Sequence, residues 1–174
     1  MEHSVKPLVA DFLAERGLTL SEEKTKITHI TDGFDFLGFN VRKFGDTLLT
    51  QPSKDRTKRM LSKVKDEIKR FRGDAQHELI MRLNPILNGW ANYYKHSAAS
   101  NVFRKTDYQI YKKLWRWALR RHGNKCKGWV KNRYFHRIDG RDWVFAVKRK
   151  NEKHEEYLFQ SLFCSIRRLK DTPN

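Results

Sequence analysis

Cysteine is scarce in this chain, and the long apolar runs of membrane proteins are missing. The 174 residues include two cysteines, Cys126 and Cys164, and no CxxC pair. This argues against a disulfide framework and a structural zinc site, and it favours a reducing compartment such as the cytoplasm. No apolar run approaches the roughly 18 residues of a membrane span, and the first residues do not resemble a signal peptide. We therefore expect a protein that acts without a membrane.

The short motifs of common enzymes are absent as well. Phosphate-binding GxxxxGK[ST], metal-binding HExxH and nucleophile-bearing GxSxG sequences do not occur, and no pair of carboxylates has catalytic spacing. The seven histidines are scattered without the spacing of metal ligands. We predict no catalytic residue, no metal site and no cofactor for this chain on its own.

Positive charge is what the chain has in excess. The net charge is +17, and 13% of the residues are aromatic, a content typical of folded proteins rather than disordered ones. Residues 1–50 carry six Lys or Arg and eight Asp or Glu, whereas residues 51–174 carry 31 and 12. A folded domain with this much positive charge repels itself unless a polyanion binds it, so nucleic acid is the expected partner.

The nearly neutral first segment predicts one helix and a small antiparallel sheet. Apolar residues at helical spacing precede Gly17, which is a typical helix end. A β-branched stretch then leads to a hairpin turn at Asp32-Gly33, and "GFDFLGFNVRKF" is predicted to be an apolar strand. A second turn at Gly45-Asp46 leads to "TLLT".

Helical periodicity dominates beyond Pro52. Ser53 is predicted to cap a helix that ends near Arg72, and Asn84-Pro85 is predicted to open a second helix. A third helix is predicted from about Asn101 to His122. After it, "WVKNRYF" and "DWVFAV" are predicted to form a hairpin around Asp139-Gly140. The fold class is therefore α+β and mainly α.

The third helix carries the clearest functional pattern. Its apolar side chains lie on one side, and five cations lie on the opposite side with no acid among them: Lys105, Lys112, Lys113, Arg116 and Arg120. Such a stripe is often only a solvated outer face. In a segment with a net charge of +19, phosphate contact is the better interpretation.

The first basic helix and the aromatic residues are harder to interpret. Lys58, Lys65 and Lys69 lie on one flank of that helix, but acids interrupt its outer surface, so RNA contact and simple solvation are equally consistent with the pattern. Aromatic side chains of the helices are able to stack on RNA bases. Most of them lie on the apolar stripes, however, and are therefore predicted to belong to the core. Tyr93 and Trp117 lie at the edges of their stripes and are predicted to be exposed.

The order of the motifs resembles the C-terminal part of bacterial group II intron reverse transcriptase/maturases. The similarity runs from about Val5 to Val147 through four blocks, of which the second is the most specific: "GLTLSEEKTKITHITDGFDFLGFNV", "LNPILNGWANYYKH", "LWRWALRRH" and "RYF" followed by "RDWVFA". The resemblance implies a remnant of the polymerase palm followed by the thumb-like maturase domain, which is also called domain X.

The resemblance also implies roles for individual residues and partners. Lys24, in "LSEEKT", corresponds to a lysine near the incoming nucleotide, and Phe36, Leu37 and Gly38 correspond to the primer-grip turn. Domain X in this family holds intron RNA and the template–primer duplex. The implied organisation is a palm remnant at 1–50, the maturase-specific domain at 51–130, and a C-terminal β-hairpin with a basic tail at 131–174.

Three functions are compatible with this pattern. The preferred one is binding of group II intron RNA in support of its folding and splicing. The second is that of a non-catalytic piece of a reverse transcriptase that assembles with a separate palm polypeptide. The third possibility is that the chain is the product of a truncated intron gene and has no present role. The palm remnant separates the first two, since a pure RNA binder has no use for Lys24 beside the "FLG" turn.

The sequence predicts that the purified chain does not polymerise nucleotides. No YxDD occurs in it, and the resemblance implies that the aspartates of that motif bind the two catalytic metal ions. Primer extension on an RNA template with Mg²⁺ should give no incorporation above a buffer control. Reproducible extension by the pure chain would show that a polymerase centre exists in these residues.

Overall fold

The computed structural model describes residues 2–138, 140–150 and 155–157. Asp139, Cys164 and the basic tail beyond Tyr157 lie outside the described residues. The elements in chain order are α1 Glu2–Ala14, β1 Phe34–Phe36, β2 Phe39–Phe44, β3 Thr47–Pro52, α2 Lys54–Arg70, α3 Gln76–Tyr94, α4 Ser100–Arg121, α5 Lys127–Tyr134, β4 Phe135–Ile138, β5 Arg141–Phe145, β6 Lys148–Lys150 and β7 Glu155–Tyr157. The predicted fold class, mainly helical α+β with a C-terminal hairpin, is confirmed.

The N-terminal sheet has the antiparallel order β1-β2-β3. The prediction of one strand across Gly33–Phe44 is wrong, because the chain turns back at Leu37-Gly38 and makes two strands. Both turn residues have positive φ, 49° and 87°, as a two-residue hairpin turn requires. The β-branched stretch before Asp32 is not a strand either. It contacts β2 through two hydrogen bonds: the Lys43 amide donates to the Ile30 carbonyl at 3.0 Å, and the Arg42 Nε donates to the Thr31 carbonyl at 2.7 Å.

The start of α2 agrees with the sequence prediction. Ser53 has extended backbone angles, and its side chain accepts a hydrogen bond from the Arg56 amide. Met60, Val64 and Ile68 are buried on the predicted apolar side. Local capping chemistry and helical periodicity therefore account for this helix.

The second helix begins nine residues earlier than the sequence predicts, because its N-cap is Ala75 rather than Asn84. α3 starts at Gln76, and Pro85 lies inside it rather than in its first turn. A proline in a helix removes one backbone hydrogen bond, at a cost of about 3 kcal/mol. Burial of Leu79, Ile80 and Leu83 in the turns before it offsets that cost, at roughly 1.5–3 kcal/mol for each side chain.

Two predictions about the C-terminal half are also corrected. Most of "WVKNRYF" is the helix α5, because Val130 and Tyr134 are buried at helical spacing, and only Phe135 begins the hairpin strand. Trp117 is buried rather than exposed, and its Nε1 donates a hydrogen bond to the Phe71 carbonyl at 2.8 Å. Its ring contacts Tyr134 and Phe145, which the sequence places far away.

The sheet is attached to the end of α3 through the turn between β1 and β2. Phe39 packs on the rings of Tyr93 and Tyr94, with centroids 5.2 and 4.9 Å away. The two tyrosine hydroxyls donate to the Leu37 and Gly38 carbonyls. A side chain at Gly38 would come within 3.0 Å of the Tyr94 hydroxyl, so this close approach requires glycine. Burial raises the pKa of Tyr94, which keeps this donor protonated.

None of the described helices combines the length and the apolar character needed to cross a membrane.

Candidate nucleic-acid interface

The predicted cationic stripe lies along α4. Its inner side, with Phe103, Ile110 and Leu114, is buried in the helical core. Four of the five predicted cations are exposed and Lys113 is half-buried; the exposed ones are Lys105, Lys112, Arg116 and Arg120. From Lys105 to Arg120 the stripe includes 16 residues and is about 22 Å long at the rise of an α-helix.

A groove of about 590 Å³ lies on the surface between α2 and α4, which pack against each other. Ile68 and Trp117 contribute its apolar surface. Seven positively charged residues line it: Lys65, Lys69, Arg72, Lys113, Arg116, Arg120 and Arg121. The structure thus brings two of the three predicted α2 lysines opposite three members of the predicted α4 stripe. We call this feature the cationic groove.

The cationic groove continues along α4 as a shallower depression. Lys105 and Lys112 line this extension with Tyr108 and Gln109, and Lys113 and Arg116 line both parts. The Lys112 ammonium lies 4.6 Å from the centre of the exposed Tyr108 ring. All five cations of the α4 stripe therefore belong to one continuous surface.

Among the described residues, none that lines the cationic groove or its extension is acidic. Two acids of α2 are instead paired with arginines outside the groove, Asp55 with Arg59 at 2.8 Å and Glu67 with Arg70 at 3.2 Å. The charged side chains that line the groove are therefore all positive, which is the arrangement that attracts a polyanion.

Sequence reasoning missed Arg72 and Arg121. The Arg121 guanidinium lies 4.6 Å from the centre of the Trp117 ring and donates to the carbonyls of Arg72 and Gly73. Arg121 is on the apolar side of α4, where a charged residue needs a partner. The position of Arg121 on the apolar side was thus a sequence signal for a buried partner. The partner carbonyls could not be identified from the sequence, because they lie 48 and 49 residues earlier in the chain.

The other predicted site residues are not part of the cationic groove. Lys58 is exposed on α2, two helical turns before Lys65. Phe36 and Leu37 are exposed beside Gly38 at the turn attached to α3. Lys24 lies in an exposed turn, and no hydrogen bond or ion pair of the described residues joins it to the Leu37-Gly38 turn.

Neutral aromatic groups border the stripe on α4. Burial raises the pKa of Tyr111, and the nearby Tyr108 phenol adds to the shift, so Tyr111 carries no negative charge near neutral pH. The described residues contain no group of three or more His, Cys, Asp or Glu that could hold a metal ion. The positive charge of the groove suits it to bind anions.

Comparison with known families identifies the helical part of the chain. Residues 57–135 match the model of the group II intron, maturase-specific domain. They form a maturase-specific domain. The matched segment runs from α2 to the start of the hairpin, so the whole cationic groove lies in the maturase-specific domain. No curated protein matches the chain. Lys24, Phe36, Leu37 and Gly38 precede the matched residues, and their roles stay predictions.

Changing Lys112, Arg116 and Arg120 to Gln should weaken binding of structured RNA and flatten its salt dependence. Each phosphate contact contributes roughly 0.7 to 0.9 to the slope of log affinity against log salt, so three lost contacts lower the slope by roughly 2 to 3. Glutamine is a good helix former, so the fold should remain. Circular dichroism and binding titrations at several salt concentrations measure both effects.

The matched control changes Lys26, Lys63 and Lys125 to Gln, which removes the same charge from exposed positions outside the groove. Its salt slope should stay close to that of the parent. Equal slopes for the parent and for a folded groove variant would mean that the α4 stripe is a solvated face.

Proposed function

We propose that this chain binds group II intron RNA in the cationic groove and supports the folding and splicing of that RNA without a polymerase centre of its own. One observation carries the proposal: inside a maturase-specific domain, six positively charged residues of α2 and α4 line one groove together with Arg72, which follows α2, and none of the described lining residues is acidic. A cytoplasmic site of action remains the expectation from the low cysteine content.

Phosphate neutralisation is the mechanism that the groove supports. A folded intron brings RNA backbones close together, and their repulsion opposes the compact state. Cations on both walls of a groove bind a backbone from two sides and release its counterions, which favours the compact RNA. In A-form RNA the deep, narrow major groove keeps base edges out of reach of side chains, while phosphates and 2′-hydroxyls are accessible, so recognition should depend on backbone and shape.

Assembly with a separate reverse transcriptase palm is the second candidate. The observation that favours it is the outer edge of β1, a three-residue strand that, among the described strands, pairs only with β2. Phe34 and Phe36 on this strand are 42% and 61% exposed, and Leu37 beside them is 70% exposed. An unpaired strand edge with exposed apolar side chains can pair with another chain. In that case the duplex of template and primer would be a further partner.

A splicing assay tests the preferred function. At a Mg²⁺ concentration too low for a group II intron RNA to fold alone, the chain should increase the fraction of RNA that splices. Changing Lys65, Lys69 and Arg116 to Gln should abolish most of this increase, because these side chains contact phosphates from both walls of the groove. The variant of Lys26, Lys63 and Lys125 serves again as the control for lost charge.

The same assay separates the two candidates. An increase by the chain alone, lost in the groove variant, supports the maturase function. If neither the parent chain nor the groove variant increases splicing in any of several group II introns tested, the chain does not act alone on intron RNA. Assembly with a palm polypeptide then becomes the better explanation.

A further inference from the structure

A second groove, of about 690 Å³, lies beside the C-terminal hairpin and apart from the cationic groove. It is bounded by the first residues of α3, by α5 and by the strands β4 and β5. Its lining residues include two histidines, His77 and His136, and the cationic and other aromatic residues Lys131, Arg133, Phe135, Arg137 and Trp143. We call it the hairpin groove. The two grooves share no lining residue.

A break in the strand register places Trp143 in this groove. His136 pairs with Val144, but Ile138 pairs with Arg141, so β5 has one more residue than β4 between these pairs. Trp143 lies in this bulge with a φ of 65°, a conformation that is strained for a bulky side chain. Bulges of this kind redirect a side chain, and they are common beside functional sites.

The Trp143 ring is held in place but not covered. Tyr111 and Trp115 of α4 contact it at steep angles, with centroids 5.9 and 5.5 Å away. The ammonium of Lys131 lies 4.9 Å from the ring centre. Even so, 41% of the residue is exposed. A fixed and partly exposed indole is a suitable surface for a planar ligand.

The surroundings of Trp143 are fixed and positively charged. The Gln76 side chain donates to the Tyr134 and Ala146 carbonyls, both at 3.2 Å, and so ties α3 to the hairpin. Three cations and one acid line the groove: Lys131, Arg133, Arg137 and Asp142. Asp142 lies 3.8 Å from Arg137, but both side chains are well exposed, so this pair contributes little. The excess charge favours an anionic ligand.

We propose that the hairpin groove binds single-stranded RNA, with one unpaired base stacked on Trp143 and the adjoining phosphates on Lys131, Arg133 and Arg137. Stacking requires the face of a base, which a single strand offers and the interior of a duplex does not. The ligand class rests on the proposed RNA-binding function, whereas the site itself is separate from the cationic groove. The chain would thus hold a folded RNA backbone and an unpaired segment at the same time.

Changing Trp143 to Leu should selectively weaken binding of single-stranded RNA. Loss of one stacked base predicts a roughly 5- to 100-fold rise in Kd for a 12-nucleotide oligouridine, with less than about a twofold change for a 12-base-pair RNA duplex. Trp143→Phe keeps an aromatic face and should retain most of the affinity. Fluorescence anisotropy with end-labelled RNA measures both ligands.

Trp129 provides the matched control. It is 39% exposed, it has a lysine ammonium 5.7 Å from its ring centre, and it does not line the hairpin groove. Trp129→Leu should leave both affinities unchanged. An unaltered oligouridine affinity in Trp143→Leu would refute the hairpin site. The proposed function fails separately, if the variant of Lys112, Arg116 and Arg120 keeps the parental affinity for structured RNA.

A crosslinking experiment on the unchanged chain covers the case in which Trp143→Leu does not fold. Oligouridine that carries 4-thiouridine is irradiated with the protein, and tryptic peptides are identified by mass spectrometry. The expected crosslink is on the peptide of residues 142–148, which contains Trp143. Crosslinks confined to residues 128–131, which contain Trp129, or to peptides of α4, would contradict the proposal.

Discussion

The packing of α4 against the end of α2 is the contact on which the proposed site depends. Trp117 fills the junction and donates its indole N–H to the Phe71 carbonyl, and Arg121 donates to the two following carbonyls. These bonds fix the distance between two helices whose facing sides are positively charged. Charges of one sign held together repel each other and destabilise the folded chain. Burial of the apolar core offsets this repulsion, and a bound RNA backbone would remove it.

The two grooves divide RNA recognition between different kinds of contact. The cationic groove offers seven positive charges around a small apolar surface, which suits a phosphate backbone of any sequence. The hairpin groove offers fewer charges and one exposed indole, which suits an unpaired base. α4 links them, because Lys113 and Arg116 line the first groove while Tyr111 and Trp115 support Trp143 in the second.

Local features of the sequence predicted the parts of the fold that depend on local physics. Ser53 caps α2 through its own side chain, and the stripe of α4 follows from the helical repeat. Pro85 was misread as a helix start because the tertiary burial that offsets its cost is invisible in a short window. The burial of Trp117 could not be predicted from the sequence, nor could the position of Lys69 and Arg116 in the same groove. Both follow from the packing of helices that are distant in sequence. The strained Trp143 also had no local signal, because a bulge depends on the partner strand.

The central claim is that lysines on both walls of the cationic groove contact RNA phosphates. Its most direct measurement is chemical footprinting, in which an amine-reactive reagent modifies lysines with and without bound intron RNA and mass spectrometry reads each site. Bound RNA should protect Lys65, Lys69 and Lys113, whereas Lys63, which is exposed on α2 outside the groove, should react as before. Equal protection of Lys63 and Lys65, or protection of Lys63 alone, would contradict this account.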